Sequence, residues 1–419
     1  CCSILLFCSN PASAGSALQQ LLRIPQASLL LDGDDPVSRI SYQAEIQRIP
    51  ASTLKILTSW LAIQQWGLDH RFHTDFFLDT KHNLWIRGYG DPMLVSEEIE
   101  LIARALAASG IERIANIYKD ESYFQPGVSV DGQSSSDNPY DAPLAPLAAN
   151  FNTIHVLVNK QGIQSAEPQT PLTKTARQLS IRMKPGRHRV NIGDARLSGR
   201  YFAELLQAKL RQQGVETAGV IRSAAIPAGL PLYYRHRNSN TLDTLLKSML
   251  RYSTNFTANQ LFLMLGAEKY DAPASMEKSR RAAMDKISSV FDWPGFEIRE
   301  GAGLSRSNRI SSSQMIELLR EFQPWKDLLY SDIQGVQAKT GTLKGISSYS
   351  GYLEKAGEIT PFALFIERNV SFDFRKRVAR ELLDTLATPD ARYSFGPSQT
   401  MAAFGSRPSS STSKGINLR

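Results

Sequence analysis

Three short motifs, far apart along the 419-residue chain, most constrain how it can fold. They read Ser-Thr-Leu-Lys at 52–55, Ser-Thr-Asn at 253–255 and Lys-Thr-Gly at 339–341. Together they carry a serine hydroxyl, an amine that can accept its proton, a second hydroxyl with an amide, and a further cation. These groups can act on one another only within a single cleft. The sequence therefore predicts a fold in which the three segments converge.

The first motif opens a stretch with the apolar spacing of an amphipathic helix. Residues 52–66 carry leucines at helical spacing, at Leu54, Leu57 and Leu61. Pro50 stands just upstream, where helices commonly begin. Ser52 is therefore expected in the first helical turn, where free N–H groups and the positive end of the helix dipole favour a developing alkoxide. Lys55 is one turn further on the same face, within reach of the Ser52 hydroxyl.

Other copies of these patterns have a weaker context. Ser-x-x-Lys recurs at 275–278, which opens a very polar segment, and at 411–414, in a Ser-rich tail. We expect a solvated helix face or tail at both. Ser-x-Asn recurs at 136–138 within a stretch of Gly, Ser and Asn that is typical of a loop. Lys-Thr-Gly occurs once, so the order Ser52, Ser253, Lys339 is the favoured set.

The second and third motifs also fall at defined positions. Residues 241–252 and 256–266 look helical, so Ser253 lies at their junction, where Ser, Thr and Asn cap helices well. Two apolar runs follow Lys339 and are separated by a turn at 355–358, which predicts a hairpin. Each motif also has a structural interpretation, namely a plain helix cap or a lysine that protects an edge strand from aggregation. Three motifs in order on suitable elements favour a shared site.

This motif set marks the active-site-serine penicillin-binding proteins and β-lactamases. The chain resembles one branch of them, the S13 peptidases or class C low-molecular-mass penicillin-binding proteins, which are D-alanyl-D-alanine carboxypeptidases and endopeptidases acting on peptidoglycan. Further similar segments are Gly-Asp-Pro-Met-Leu at 90–94, the Tyr-Asp-Ala-Pro segment at 140–153 and Gly-Ala-Gly-Leu-Ser at 301–305. Glu300 stands where the family usually has Asp, and Ala302 where Ser is common.

The resemblance implies a role for each motif residue. Ser52 would attack the carbonyl of the penultimate D-alanine, and Lys55 would take its proton once burial and a neighbouring cation have lowered the lysine pKa. Ser253 would relay a proton to the leaving amine, and Asn255 would orient Lys55 and hold the substrate amide. The substrate's terminal carboxylate and the oxyanion would be bound along the third motif, by Lys339, Thr340, Gly341 and Thr342 together with the backbone N–H of Ser52.

The resemblance also implies partners. Peptidoglycan stem peptides would be the substrates, and β-lactams, which mimic D-Ala-D-Ala, would acylate Ser52 as inhibitors. Class A β-lactamases release the adduct with a Glu in a Glu-x-x-Leu-Asn segment, which this sequence lacks, so slow release is expected. Two alternatives remain open. One is another serine acyl hydrolase of the same fold, such as a β-lactamase, esterase or D-aminopeptidase, and the other is a non-catalytic envelope scaffold.

The predicted elements indicate an α+β fold. Strands at 27–31 and 37–42, the hairpin after Lys339 and a helix at 374–386 would form an antiparallel sheet flanked by helices, with a helical subdomain carrying Ser253. We expect this β-lactamase/transpeptidase-like domain to span 18–70 and 235–387. The long interval between Ser52 and Ser253 indicates an inserted accessory α/β module at 71–234. Its predicted strands are 76–78, 84–87, 114–118 and 154–158, and its predicted helices 97–109 and 198–213.

The chain ends and the charge indicate export. Residues 1–17 carry no charge and end in small residues, which predicts the remnant of a secretory signal peptide. Residues 388–419 have the composition of a disordered tail. No other apolar run reaches transmembrane length. The net charge of +8 comes without a nucleic-acid-binding motif, so we expect no nucleic-acid partner and a place in the periplasm or cell envelope. No cofactor or metal is expected, because the six histidines lack metal-ligand spacing.

Overall fold

The computed structural model describes residues 16–33 and 39–386 and shows the α+β fold that the sequence predicts. Apart from residues 16 and 17, the predicted signal-peptide remnant and tail lie outside this range. The helices are α1 Ala17–Leu21, α2 Lys55–Trp66, α3 Ser96–Ala108, α4 Lys174–Ser180, α5 Ala195–Gln212, α6 Leu242–Tyr252, α7 Asn255–Tyr270, α8 Met276–Ser288, α9 Ser312–Phe322 and α10 Phe374–Thr385.

The strands are β1 Ala27–Leu31, β2 Ile40–Tyr42, β3 His73–Leu78, β4 Leu84–Gly88, β5 Arg113–Ile114, β6 Ile117–Asp120, β7 Thr153–Asn159, β8 Gly162–Ser165, β9 Gly186–Asn191, β10 Glu216–Thr217, β11 Ile221–Ser223, β12 Leu232–Arg237, β13 Val336–Leu343, β14 Ile346–Lys355 and β15 Glu358–Ile366. Strands β13, β14, β15, β1 and β2 form one antiparallel sheet in that order, in which β1 pairs with β15 although more than 300 residues separate them along the chain.

Both faces of this sheet are covered by helices. All five residues of β1 are buried, and its side chains alternate between two cores. Leu29 and Leu31 pack with Val378 of α10, whereas Leu30 belongs to the core built by α2, α7 and α9. A strand that is covered on both sides reads as a continuous apolar run rather than as an alternating one.

Helices α2 and α7 form the centre of the helical layer. The first nine residues of α2 are buried, as are residues 255–267 of α7. A helix that is enclosed on all sides belongs inside a core. Helix α6 ends at Tyr252, the next residue Ser253 adopts the left-handed conformation with φ 56°, and α7 begins at Asn255. The second motif is thus a tight corner between two helices.

Residues 73–237 build further sheets of their own. Strands β11, β6, β4, β3 and β12 form a mixed sheet, and helices α3 and α5 pack on it through a core that includes Ile102, Phe202 and Leu205. Strands β8, β7 and β9 form a separate three-stranded antiparallel sheet. A loop between these two sheets reaches back to α7, where the Gln260 side chain donates a 2.6 Å hydrogen bond to the Ala145 carbonyl.

Most predicted elements are confirmed, and one is wrong. The predicted strand 114–118 is two strands in two sheets, β5 beside β10 and β6 beside β4. The chain turns between them, because Ala115 donates its N–H to the His82 carbonyl while the Asn116 carbonyl accepts from Leu84. The other boundaries agree to within a few residues, and strand 37–42 is seen only from Ile40 because 34–38 lie outside the described residues.

We predict that Phe262→Ala strongly destabilises the fold. The ring of Phe262 is fully buried in α7 and packs beneath Gly301. Removing a buried phenylalanine ring costs about 3–5 kcal/mol in the free energy of unfolding. Denaturant unfolding measures this difference, and Val290→Ala is the control, because Val290 is 43% exposed next to α8. Equal unfolding midpoints for the two variants would show that α7 is not central to the core.

Candidate active site

Ser52 is held in a constrained turn between helix α2 and the main sheet. It lies in a 3-10 turn, Ala51–Leu54, that leads directly into α2, and Ala51 before it has a positive φ of 47°. The Ser348 hydroxyl on β14 donates a 2.6 Å hydrogen bond to the Pro50 carbonyl. A Cβ placed on Gly303 would lie 1.8 Å from the Ala51 carbonyl oxygen, so only glycine allows the 301–305 loop to approach this turn.

The Lys55 amine is the centre of the site. It is fully buried, and its Nζ lies 3.0 Å from Ser52 Oγ, 2.9 Å from Asn255 Oδ1 and 2.7 Å from the Ala302 carbonyl oxygen. Asn255 Oδ1 and the Ala302 carbonyl oxygen accept hydrogen bonds there and have no proton to give. A neutral amine has two N–H groups for these two acceptors and one lone pair for the Ser52 hydroxyl proton. The three contacts also fit a charged amine that donates to all three oxygens, so the form of Lys55 is set by its electrostatic surroundings.

The electrostatic surroundings favour that neutral form. Burial lowers the pKa of Lys55 well below its usual value, and the charge of Lys339 lowers it further. The carboxylate of Glu300 acts in the opposite direction. Desolvation dominates because the charged form of a buried amine loses its hydration. The sequence-based expectation named the same two causes of the lowered pKa.

The second motif reaches the site through Asn255. The Asn255 side chain accepts from Lys55 through Oδ1, and its Nδ2 donates a 3.3 Å bond to the Tyr140 carbonyl. Ser253 lies at the corner two residues before it and is partly exposed. In the part of the chain that the structure describes, the Ser253 hydroxyl donates to neither lysine. The structure thus places Asn255 against Lys55 and Ser253 at the neighbouring corner.

The third motif lies on β13, at the edge of the sheet beside Ser52. Lys339 is buried, and its Nζ donates a 3.0 Å bond to the Thr340 carbonyl. Burial and then the charge of Arg375 lower the pKa of Lys339 to about 8. A Cβ on Gly341 would lie 2.8 Å from the Ser52 nitrogen, so the missing side chain lets the strand pass directly against Ser52. Thr342 is exposed, and its hydroxyl oxygen accepts from Arg375.

A buried carboxylate that the sequence analysis did not assign shapes the 301–305 loop. Glu300 is fully buried and accepts hydrogen bonds from the backbone N–H of Ala302 at 2.7 Å, from that of Leu304 at 2.8 Å and from the Asn308 side chain at 2.8 Å. These bonds fix the turn that points the Ala302 carbonyl at Lys55. The similarity of 301–305 to a family segment marked this loop, but no sequence signal showed that a backbone carbonyl contributes to the site.

The other motif copies are not part of this site. Ser275 caps α8 by accepting from the Lys278 N–H, and Ser136 lies in a loop, as expected. The copy at 411–414 lies outside the described residues. Among residues 16–33 and 39–386, no cluster of His, Cys, Asp and Glu could hold a metal ion. Over the same ranges, no helix has the length and apolar character needed to cross a bilayer.

This geometry defines an active-site-serine acyl-transfer enzyme, the class that includes penicillin-binding proteins and β-lactamases. The sequence model of the D-Ala-D-Ala carboxypeptidase 3 (S13) family matches residues 31–184 and 190–333, and the chain belongs to that family. The resemblance inferred from the motifs is thereby confirmed.

Individual relatives agree with this assignment. The chain is 24% identical over 386 residues to a D-alanyl-D-alanine carboxypeptidase from Actinomadura sp. (strain R39), a match covering 73% of this chain and 71% of that protein. It is 28% identical over 209 residues to the D-alanyl-D-alanine carboxypeptidase DacB of Haemophilus influenzae, covering 43% of each. The crystal structure of penicillin-binding protein 4 (dacB) from Haemophilus influenzae has the same fold, with a TM-score of 0.71, 22% identity, and coverage of 88% of this chain and 98% of that one.

We predict that acylation falls above a pH of about 8 because Lys339 then loses its proton. A charged Lys339 attracts a carboxylate and keeps Lys55 neutral, so deprotonation weakens both effects. The second-order rate constant for labelling by a fluorescent penicillin, measured against pH, should show this descending limb. The limb should disappear or move to higher pH in Lys339→Arg, because a guanidinium stays protonated in this range.

The matched control is Lys355→Arg, at the far end of β14, which should keep the wild-type profile. A descending limb that stays at the same pH in Lys339→Arg would mean that another group is responsible for it.

Proposed function

We propose that the protein is a serine D-Ala-D-Ala peptidase that trims or cleaves peptidoglycan stem peptides through an acyl-enzyme on Ser52. The observation that supports this most directly is the buried Lys55 amine, which has two oxygen acceptors and the Ser52 hydroxyl around it. A nucleophilic serine needs a base within hydrogen-bond reach, and the 3.0 Å contact meets that requirement.

In the first half-reaction, Ser52 Oγ attacks the carbonyl carbon of the penultimate D-alanine while its proton passes to Lys55. The backbone N–H groups of Ser52 and Thr342 stabilise the oxyanion, a contribution of about 3 kcal/mol for each such donor. The tetrahedral intermediate then collapses, and the leaving amine takes a proton from Lys55 by way of Ser253. Ser253 is at the corner two residues before Asn255, and the relay requires its hydroxyl to come within hydrogen-bond reach of Lys55 when the substrate is bound.

In the second half-reaction, water attacks the acyl-enzyme and Lys55 again acts as the base, which regenerates Ser52. Lys339 supplies the charge that attracts the terminal carboxylate of the substrate, and Thr340 adds a hydroxyl beside it. The Thr342 hydroxyl oxygen accepts from Arg375, and its own proton is left free to donate. Gly341 has no side chain, which lets β13 pack directly against the turn that carries Ser52.

β-Lactams would acylate Ser52 and inhibit the enzyme, since they mimic the D-Ala-D-Ala end of the substrate. A second structure of the Haemophilus influenzae penicillin-binding protein 4 is described as complexed with a novel β-lactam. We further propose that residues 18–70 and 235–387 form the acyl-transfer domain and 71–234 an accessory module. Location in the periplasm or cell envelope follows from the proposed substrate, because peptidoglycan lies outside the cytoplasmic membrane.

The decisive test compares the Ser52 motif with its copy at 275–278. Ser52→Ala should abolish both the penicillin adduct on intact protein and D-alanine release from diacetyl-L-Lys-D-Ala-D-Ala. Lys55→Met should slow acylation about 10²- to 10⁴-fold, the usual contribution of a general base. Ser275→Ala should lower stability by about 1 kcal/mol, because it removes a helix cap, and leave acylation unchanged.

Adduct formation on Ser275 or in the Ser52→Ala variant would refute the assignment. The lifetime of the wild-type adduct separates the peptidase from a β-lactamase, since turnover within seconds would favour the latter. A digest of purified peptidoglycan then distinguishes carboxypeptidase from endopeptidase activity. Shortened monomer stems show carboxypeptidase action, and split dimers show endopeptidase action.

A further inference from the structure

A buried arginine with no acidic partner lies behind the catalytic strand. Arg375, the second residue of α10, is 1% exposed. Within the described residues it forms no ion pair, and its Nε makes no hydrogen bond. The Asp332 carboxylate in its vicinity is instead paired with Lys376. Burying a guanidinium without a counter-ion is costly, so the contacts that Arg375 does make need an explanation beyond packing.

Those contacts converge on one point of β13. Arg375 Nη1 donates to the Gly341 carbonyl at 2.5 Å, to Thr342 Oγ1 at 2.8 Å and, more weakly, to Ser347 Oγ at 3.4 Å. The Phe372 ring covers the guanidinium from outside, with its centroid 4.8 Å from the guanidinium carbon. Successive side chains of a strand point to opposite faces, and the missing side chain of Gly341 faces the Ser52 nitrogen. Arg375 therefore approaches the strand from the face opposite Ser52.

The Gly341 carbonyl and the Thr342 N–H belong to the same peptide group. In a planar trans peptide these two bonds point in opposite directions. A hydrogen bond from a cation to the carbonyl oxygen is short and strong, so it fixes the plane of the peptide. It also polarises the group, which makes the N–H at the other end a better donor.

We propose that Arg375 is a positioning residue for the oxyanion hole, which clamps and polarises the Gly341–Thr342 peptide so that the Thr342 N–H is held ready for the oxyanion formed at Ser52. The inference rests on the proposed function, because it assumes that Thr342 N–H is an oxyanion donor. It also accounts for the burial of the charge. The buried charge lies where it would stabilise the negative charge that develops on the far side of the peptide, and preorganised donors of this kind stabilise a transition state more than a ground state.

The test uses Arg375→Met and Arg375→Lys in the full chain with two controls on the same helix. Lys376→Met removes a neighbouring cation that does not touch β13, and Val378→Ala weakens the packing of α10 without touching the peptide. The probes are benzylpenicillin, for the acylation rate and for the infrared carbonyl band of the acyl-enzyme, and a boronic acid, which forms a tetrahedral adduct on the serine.

Arg375→Met should slow acylation about 10- to 100-fold, less than the 10²- to 10³-fold lost when a donor is removed outright. Boronate affinity should fall in proportion, and the carbonyl band should move to higher wavenumber, because a weaker oxyanion hole polarises the bond less. Arg375→Lys should recover part of each change. Val378→Ala should lower the melting temperature and leave the carbonyl band at its wild-type wavenumber. Lys376→Met should also leave the band in place and have at most a small effect on stability.

The proposal is overturned if Arg375→Met keeps the wild-type carbonyl band and acylation rate. It is also overturned if Arg375→Met slows acylation no more than Val378→Ala does. If Arg375→Met does not fold, the same criteria apply to Arg375→Lys. Failure of the proposed function would appear in the wild-type protein itself, which would form no penicillin adduct or one that turns over within seconds.

Discussion

The burial of the Lys55 amine is the constraint on which the rest of the structure depends. An amine in a dry interior must find acceptors, and here they come from three parts of the chain: the turn before α2, the start of α7 and the loop after Glu300. The same contacts that satisfy the amine also bring Ser52 and Asn255 together. One set of hydrogen bonds therefore holds these three segments together, and a change that rehydrates the amine would raise its pKa and make it a poorer base at neutral pH.

Positive charge exceeds negative charge around this amine. Lys339 and Arg375 add two cations close to β13, whereas Glu300 is the buried carboxylate that acts on Lys55 and is itself held by backbone N–H groups. A site with excess positive charge attracts an anionic ligand, and a substrate ending in a carboxylate matches it. The loop that carries Tyr140 also reaches this region, because the Tyr140 carbonyl accepts from Asn255, so the segment between β6 and β7 contacts the site.

Much of the fold could be predicted because its elements carry strong local patterns. Strand β1 is a continuous apolar run, and the spacing of leucines and the upstream Pro50 placed the start of α2 within a few residues. The split between β5 and β6 could not be predicted in the same way. Asn116, a residue type that is depleted in strands, is the one sign of a break between Ile114 and Tyr118. The backbone of Ala115 and Asn116 bonds to the turn before β4, and the Asn116 side chain donates to Asn83 and accepts from the Val220 N–H. Such pairing depends on partners that lie elsewhere along the chain.

The sequence by itself determined which chemical groups are available: a serine and a lysine one helical turn apart, an amide at a helix junction, and a lysine and a glycine on a strand. It could do so because each role depends on side-chain type and short-range spacing. Only the tertiary structure decided that the Ala302 carbonyl faces Lys55 and that Arg375 lies behind the Gly341 carbonyl. Every residue has a carbonyl group, so its role arises from where the folded chain places it and leaves no signature in the sequence.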